Sequence, residues 1–311
     1  MKFTIGLPIT KTKYLKDSLD SIAAQTNSDY ELIIRNNAKT AELKAEVKEI
    51  CKEWLEKPHV NYQESDEQLT ISENFNKIVA SAKGKYFTIL SDDDLLHPDF
   101  LKKFDELISK YPTTDVFHCR VKRILEDGSL YNFSENAPEW ETQMDLIYHR
   151  ITGKRSIILS DFVVKTDALK ANGGFPSETS GWGIDEITWC RLAENGVAFT
   201  QEVLLIYRRF QGNHSFNPQT LKNRFNDIEF IDREIKKMII KGSAKKDALY
   251  PREYLMNLHI KRIQKQKDMV LEHFAYNHNY FKVVSFYLSN KKEISFQGVV
   301  KAFGAKIKKT Q

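Results

Sequence analysis

Tyr86-Phe87-Thr88-Ile89-Leu90-Ser91-Asp92-Asp93-Asp94-Leu95-Leu96-His97-Pro98 is an apolar run that ends in three consecutive carboxylates and then turns toward a helix. Alternation along an extended chain puts Asp92 and Asp94 on one face and Asp93 on the other. Like charges this close repel unless a cation, protons or hydrogen bonds offset them, and two acids on one face suit a hard divalent cation. The alternative is an acidic turn capping the helix that starts near Pro98.

Outward from this run the hydrophobic pattern switches repeatedly between period two and period 3.6. Phe3–Pro8 precedes a helical pattern near Tyr14–Gln25, and Tyr30–Asn36 precedes Thr40–Leu55. Val60–Glu64 is followed by Thr70–Ala82, and Tyr86–Ser91 by Pro98–Lys110. Four strand and helix units in succession predict an α/β fold with a doubly wound, mostly parallel sheet. Such sheets bind ligands beyond the carboxyl ends of their strands, which is where Asp92–Asp94 fall.

Neither a Gly-x-Gly-x-x-Gly after the first strand nor a Gly-x-x-x-x-Gly-Lys-Ser/Thr run is present. A backbone cradle for phosphates therefore has no support, and a nucleotide would need a metal clamp: Mg²⁺ or Mn²⁺ held by acids after the fourth strand and bridging a diphosphate.

The 311 residues are 41% hydrophobic, enough for one large core or two modest ones. No signal-peptide core follows Met1-Lys2 and no apolar run reaches the length of a membrane span, which points to a cytosolic chain. Cys51, Cys119 and Cys190 are far apart, with neither zinc-ligand spacing nor a disulfide framework. Charge is uneven: residues 231–311 hold 18 Lys and Arg against 7 Asp and Glu, a net +11, and the remainder carries −6.

Several pieces, in this order, resemble the family 2 glycosyltransferases of GT-A fold, of the bacterial polysaccharide-biosynthesis type. They are Phe3-Thr4-Ile5-Gly6-Leu7-Pro8, Ser21-Ile22-Ala23-Ala24-Gln25-Thr26, Tyr30-Glu31-Leu32-Ile33-Ile34, Ser72-Glu73-Asn74-Phe75-Asn76, and Ala82-Lys83-Gly84-Lys85-Tyr86 leading to Asp92-Asp93-Asp94. The resemblance runs over about residues 1–215. It implies a Rossmann-like GT-A domain over 1–220, with a nucleotide-sugar-binding half (1–115) and an acceptor half (116–220), followed by a basic helical region (221–311). It also implies that Asp92 and Asp94 form the Asp-x-Asp pair, Asp94 ligating the metal and Asp92 contacting ribose or the metal's water shell, with Asp93 beside them on the nucleotide-sugar side. Pro8 would border the nucleoside base and Asn74 the donor. Where the family commonly has an aspartate after the second strand, this chain has Arg35-Asn36-Asn37; Asn36 can still donate and accept.

Gly181-Trp182-Gly183-Ile184-Asp185-Glu186, continuing through Trp189-Cys190-Arg191, is similar to the family's acceptor loop and the helix with its catalytic acid. Inverting transfer needs a carboxylate to take the acceptor's proton. Counting back from Arg191 selects Asp185; counting forward from Trp182-Gly183 selects Glu186. Asp185 is preferred, because helical register shifts less readily than loop length. Trp182, flanked by glycines, could stack on an acceptor sugar or pack against the helix.

After the strand Val203–Arg209 the family often has Tyr-Arg-x-His. Phe210 stands at that position, and the nearby histidine is His214, a candidate metal ligand. Arg208 and Arg209 are expected at phosphate oxygens. Ser156–Lys165 reads as a scaffold strand, with Thr166-Asp167 capping the next helix.

From Leu221 the pattern is helical, and these helices would pack on the body or on a second copy. The basic, apolar Val299–Lys309 fits an interfacial segment near anionic lipid on the inner face of the cell membrane. The expected function is inverting, metal-dependent transfer from a nucleoside diphosphate sugar, in the first instance a uridine diphosphate sugar, to a hydroxyl of a glycan or lipid-linked glycan. A non-catalytic sugar-nucleotide-binding scaffold and a nucleotidyltransferase are the competing classes. No nucleic-acid-binding module is recognisable.

Overall fold

The computed structural model describes residues 1–210, 221, 223–243 and 249–310. Two compact units are distinguished: Met1–Ser177 with Ile184–Phe210, and Glu178–Gly183 with the chain from Gln211 onward.

In the first unit β1 (Phe3–Ile9), α1 (Leu15–Ala23), β2 (Tyr30–Asn36), α2 (Ala41–Ile50), α3 (Lys52–Leu55), β3 (Val60–Glu64), α4 (Ile71–Ser81) and β4 (Tyr86–Ile89) follow in order. The strands β3, β2, β1 and β4 lie side by side and parallel. Every residue of β1 and β2 is buried, as both faces of a parallel sheet are covered by helices. The helix expected over Thr40–Leu55 is interrupted at Cys51, which ends α2 and starts α3. Thr70 and Glu73 form a reciprocal capping box that fixes the start of α4.

Strand β4 stops at Ile89, two residues before the expected Ser91, and the acids lie in a turn in which the Asp94 amide donates to the Ser91 carbonyl at 3.2 Å. The alternation expected of an extended chain therefore does not apply to Asp92–Asp94. Leu95–Leu96 forms the short β5, and the following helix α5 (Phe100–Lys110) begins two residues after Pro98. Asp99, not the acid triplet, stands at its N-cap. The amphipathic α5 buries Phe100, Leu101, Phe104, Leu107 and Ile108, at about 1.5–3 kcal/mol for each fully buried large side chain.

Beyond β4 the sheet is mixed. The elements are β6 (Val116–Leu125), β7 (Leu130–Phe133), β8 (Trp140–Glu141), α6 (Gln143–Ile151), β9 (Phe162–Lys165), α7 (Thr166–Ala171), α8 (Ile184–Leu192) and β10 (Val197–Arg209). Strand β9 is antiparallel to both β4 and β6, whereas β6 and β10 are parallel. The single strand expected over Ser156–Lys165 is instead a loop, a 3₁₀ turn at Leu159–Asp161 and the four-residue β9. Thr166 is the first residue of α7 rather than its cap, and its hydroxyl donates to the Gly84 carbonyl. All three cysteines are free and buried.

The second unit contains four helices among its described residues: α9 (Arg224–Gly242), α10 (Arg252–Asn277), α11 (Tyr280–Ser289) and α12 (Phe296–Thr310). No helix among the described residues is long and apolar enough to cross a membrane.

Candidate active site

The acid turn joins the carboxyl end of β4 to four other parts of the first unit, with Asp92 and Asp93 sharing Lys11. Asp92 Oδ2 accepts from the Thr10 and Lys11 amides at 2.7 and 2.9 Å, tying the turn to the chain leaving β1. The Asp93 carboxylate accepts from Lys11 Nζ at 2.8 Å, and Lys11 Nζ is 3.7 Å from Asp92 Oδ1. Asp94 accepts from the Arg208 amide at Oδ1 and from Ser160 Oγ at Oδ2, both at 3.1 Å. The Ser18 hydroxyl donates to the Asp94 carbonyl at 2.8 Å.

All three acids are buried, Asp94 completely. Burial is the largest force raising the Asp92 carboxyl above the usual range, with Asp93 adding repulsion and Lys11 and the two amides opposing it. Asp94 is raised well above that range, again by burial first and then by Asp93. The Lys11 ammonium is raised: the acids outweigh the opposing effect of its own burial. Burial, followed by the charges of Asp94 and Asp93, likewise pushes the Tyr207 phenol up. The turn is thus a concentration of negative charge that a bound cation would relieve.

Other expected donor-side residues are distributed around this end of the sheet. Pro8 is buried near the end of β1, two residues before Thr10. Asn74 is buried on α4, and its Oδ1 has no hydrogen-bond partner among the described residues. One turn further along α4, Ile78 packs so closely on Gly6 of β1 that a Cβ there would lie 2.6 Å from its side chain. Asn36 is fully buried, and its amide nitrogen donates to the Lys44 carbonyl, the Tyr62 hydroxyl and Glu64 Oε2. That amide therefore ties the end of β2 to α2 and β3.

Arg208 and Arg209 are successive strand residues, so their side chains diverge. The Arg208 guanidinium lies 4.1 Å above the Tyr14 ring and reaches Asp17 Oδ2 at 3.1 Å. The Arg209 guanidinium lies 4.6 Å from the Tyr131 ring on β7.

The downstream acids occupy different environments. Glu186, buried, receives Arg150 Nε at 2.9 Å and NH2 at 2.8 Å. Asp185, partly exposed at the start of α8, accepts the Glu186 amide at 2.8 Å. Burial pushes the Asp185 carboxyl up to about 6, with the Arg150 cation partly opposing. Asp161, on the 3₁₀ turn next to Ser160, is buried and raised well above the usual range, by burial first and then by the charge of Asp185. Lys11, Arg150, Ser160 and Asp161 were not singled out in the sequence. A Ser-Asp pair inside an apolar stretch was the only local signal, and the partners of Lys11 and Arg150 are remote in sequence.

In the second unit the Trp182 ring lies 4.6 Å from the Arg224 guanidinium, and Ser180 bonds the Asp227 carboxylate. His214 lies outside the described residues.

The fold class is GT-A. A Staphylococcus aureus TarS structure in complex with UDP-GlcNAc superposes with a TM-score of 0.67 at 15% identity, covering 99% of this chain and 89% of that one. The mannosyltransferase PcManGT from Pyrobaculum calidifontis, in complex with GDP-Man and Mn²⁺, gives a TM-score of 0.55 at 16% identity, over 99% and 86%. The model for glycosyl transferase family 2 matches residues 9–166, and the chain belongs to that family. An uncharacterised Methanocaldococcus jannaschii glycosyltransferase is 34% identical over 122 residues, 38% of this chain and 40% of that protein. Streptococcus pneumoniae glycosyltransferase GlyA is 26% identical over 136 residues, 43% of this chain and 18% of GlyA. The matches thus span well under half the length of these two relatives.

Proposed function

We propose that the chain is an inverting glycosyltransferase that moves a sugar from a nucleoside diphosphate, in the first instance uridine diphosphate, to a hydroxyl of a glycan or lipid-linked acceptor. The observation that carries this reading is the pairing of a buried acid turn at the strand ends with a separate, partly exposed carboxylate raised to about 6. Among the described residues no three His, Cys, Asp or Glu side chains form a ready metal cage. Mg²⁺ and Mn²⁺ are commonly held by one or two carboxylates with substrate phosphates completing the shell, and the oxygen donors of Asp92 and Asp94 fit that chemistry. When bound, the cation would neutralise charge developing on the leaving diphosphate.

Asp185 serves as general base: its carboxylate takes the proton from the acceptor hydroxyl as that oxygen bonds to the anomeric carbon. The bond from that carbon to the diphosphate oxygen breaks on the opposite face, and the nucleoside diphosphate departs with the bonding electrons. Glu186, paired to Arg150, positions the start of α8 instead. Pro8, Asn74 and Asp93 belong to the donor side of this reading, with Asn74 Oδ1 available to a donor hydroxyl. Trp182, three residues before Asp185, would offer an aromatic face to the acceptor, and His214 is kept as a candidate metal ligand. The relatives in solved structures were captured with both uridine and guanosine nucleotides, so the base is tested directly.

The decisive measurement is release of nucleoside diphosphate from a panel of nucleotide sugars, each with Mn²⁺ and with chelator. Release from one donor that chelator abolishes is expected. No release from any donor would favour the scaffold reading.

A further inference from the structure

The second unit presents an apolar helix face that its described helices leave uncovered. On α11, Val283 is buried and Phe286 turns inward, stacking on Phe274 at 4.1 Å. On another side of the same helix Tyr280, Phe281, Val284 and Leu288 are 43%, 84%, 42% and 60% exposed. Positions 280, 284 and 288 form a stripe at helical spacing, with Phe281 beside it. On α12, Phe296 and Val300, one turn apart, are 81% and 56% exposed. The rings of Tyr280 and Phe303 stack at 6.1 Å, joining the start of α11 to α12.

The exposed charges beside this face are mostly positive, although Glu229 and Glu293 line one pocket with Leu288, Lys291 and Lys292. Lys282, Lys291, Lys292 and Lys301 are exposed. Residues 280–310 contain seven lysines and a single acid, Glu293, which is paired with Lys267.

We propose that the α11 face, with Phe296 beside it in sequence on α12, docks on an anionic lipid bilayer. The aromatic and aliphatic side chains enter the boundary between headgroups and acyl chains, and the lysines meet lipid phosphates. A helix of 10 residues, about 15 Å long, lies in that plane without crossing the membrane. A second copy is the poorer occupant, because opposing two such faces would set lysines against lysines. The apolar anchor is thus assigned to α11, upstream of the Val299–Lys309 stretch that the sequence pattern suggests. This goes beyond the proposed transfer reaction and does not depend on it.

The test is flotation of the full chain with phosphatidylglycerol-rich vesicles and with phosphatidylcholine-only vesicles, at low and high salt. Binding to the anionic vesicles, weakened by salt, is expected. Phe281→Glu should weaken it by at least about tenfold. Replacing Lys282, Lys291 and Lys292 by glutamine should weaken it by roughly fivefold per residue. These positions are exposed, and unchanged melting curves would establish that the variants fold. A wild-type chain that ignores anionic vesicles at low salt overturns the proposal. So does undiminished binding by Phe281→Glu, or self-association that this variant abolishes without any vesicle binding.

Discussion

Replacing Asp94 by asparagine separates two consequences of burying a carboxylate. Its folded-state pKa is raised, chiefly by burial. In acid, where both folded and unfolded chains hold the proton, there is no penalty. As pH rises past the unfolded value of about 4, the unfolded chain ionises first and stability falls. Asp94→Asn should therefore melt higher than wild type at neutral pH, with the difference shrinking as pH approaches that of the unfolded carboxylate, while metal-dependent use of the donor is lost. Equal melting across the pH range would deny the buried charge its cost. Asp185, the proposed general base, should act through a different pH window: a base works ionised, so transfer should fall about tenfold per pH unit below about 6, the value to which burial pushes its carboxyl. Asp185→Asn should lower the transfer rate by about 10²–10⁴-fold and leave nucleotide affinity unchanged. Glu186→Gln should instead weaken the Arg150 pair and cost on the order of 1–3 kcal/mol of stability while keeping transfer. If glutamine at 186 stops transfer and asparagine at 185 does not, the two acids exchange roles.

At the scale of elements, one close approach links the chain entering β4 to β1 and β2. The Gly84 amide donates to Thr4 Oγ1 and Glu31 Oε1 at 2.9 and 3.0 Å, and a Cβ there would lie 2.5 Å from the Phe3 carbonyl carbon. Backbone cannot move aside as a flexible side chain can. Gly84→Ala should therefore destabilise the chain by about 2–3 kcal/mol, read as a lower melting temperature. The strands β1 to β4 and the helices α1, α4 and α5 were legible in the sequence because each follows one hydrophobic period; the break at Cys51 and the two-residue β5, which pairs with the distant β10, were not. The mixed half was not: an apolar run such as Ser156–Lys165 looks the same whether it pairs over ten residues or four, and the 3₁₀ turn inside it carries no periodic signature. The same limit governed the site. The acid turn was visible as a local motif. The contact of Ser160 with Asp94 spans 66 residues and that of Arg150 with Glu186 spans 36, distances over which sequence pattern is silent. Asn36 was legible as a polar residue after a strand, but not as one enclosed by Lys44, Tyr62 and Glu64.

For the whole molecule, two compact units make two unfolding transitions the natural expectation, and a ligand stabilises only the unit that binds it. Asp92, Asp93, Asp94 and Asn74, the residues proposed on the donor side, all belong to the first unit. Nucleoside diphosphate with Mn²⁺ at about a hundredfold excess over Kd should stabilise that unit by roughly 2.7 kcal/mol. For a unit of this size the shift should be about 5–10 °C in calorimetry. Chelator should remove it, because without the cation the diphosphate meets the charge of three buried carboxylates. Comparing uridine and guanosine diphosphates in the same experiment reads the base preference without needing an acceptor. The transition of the second unit should stay where it is. A shift that survives chelator would separate nucleotide binding from the acid turn, and a shift of equal size in both transitions would mean that the donor is held by both units together.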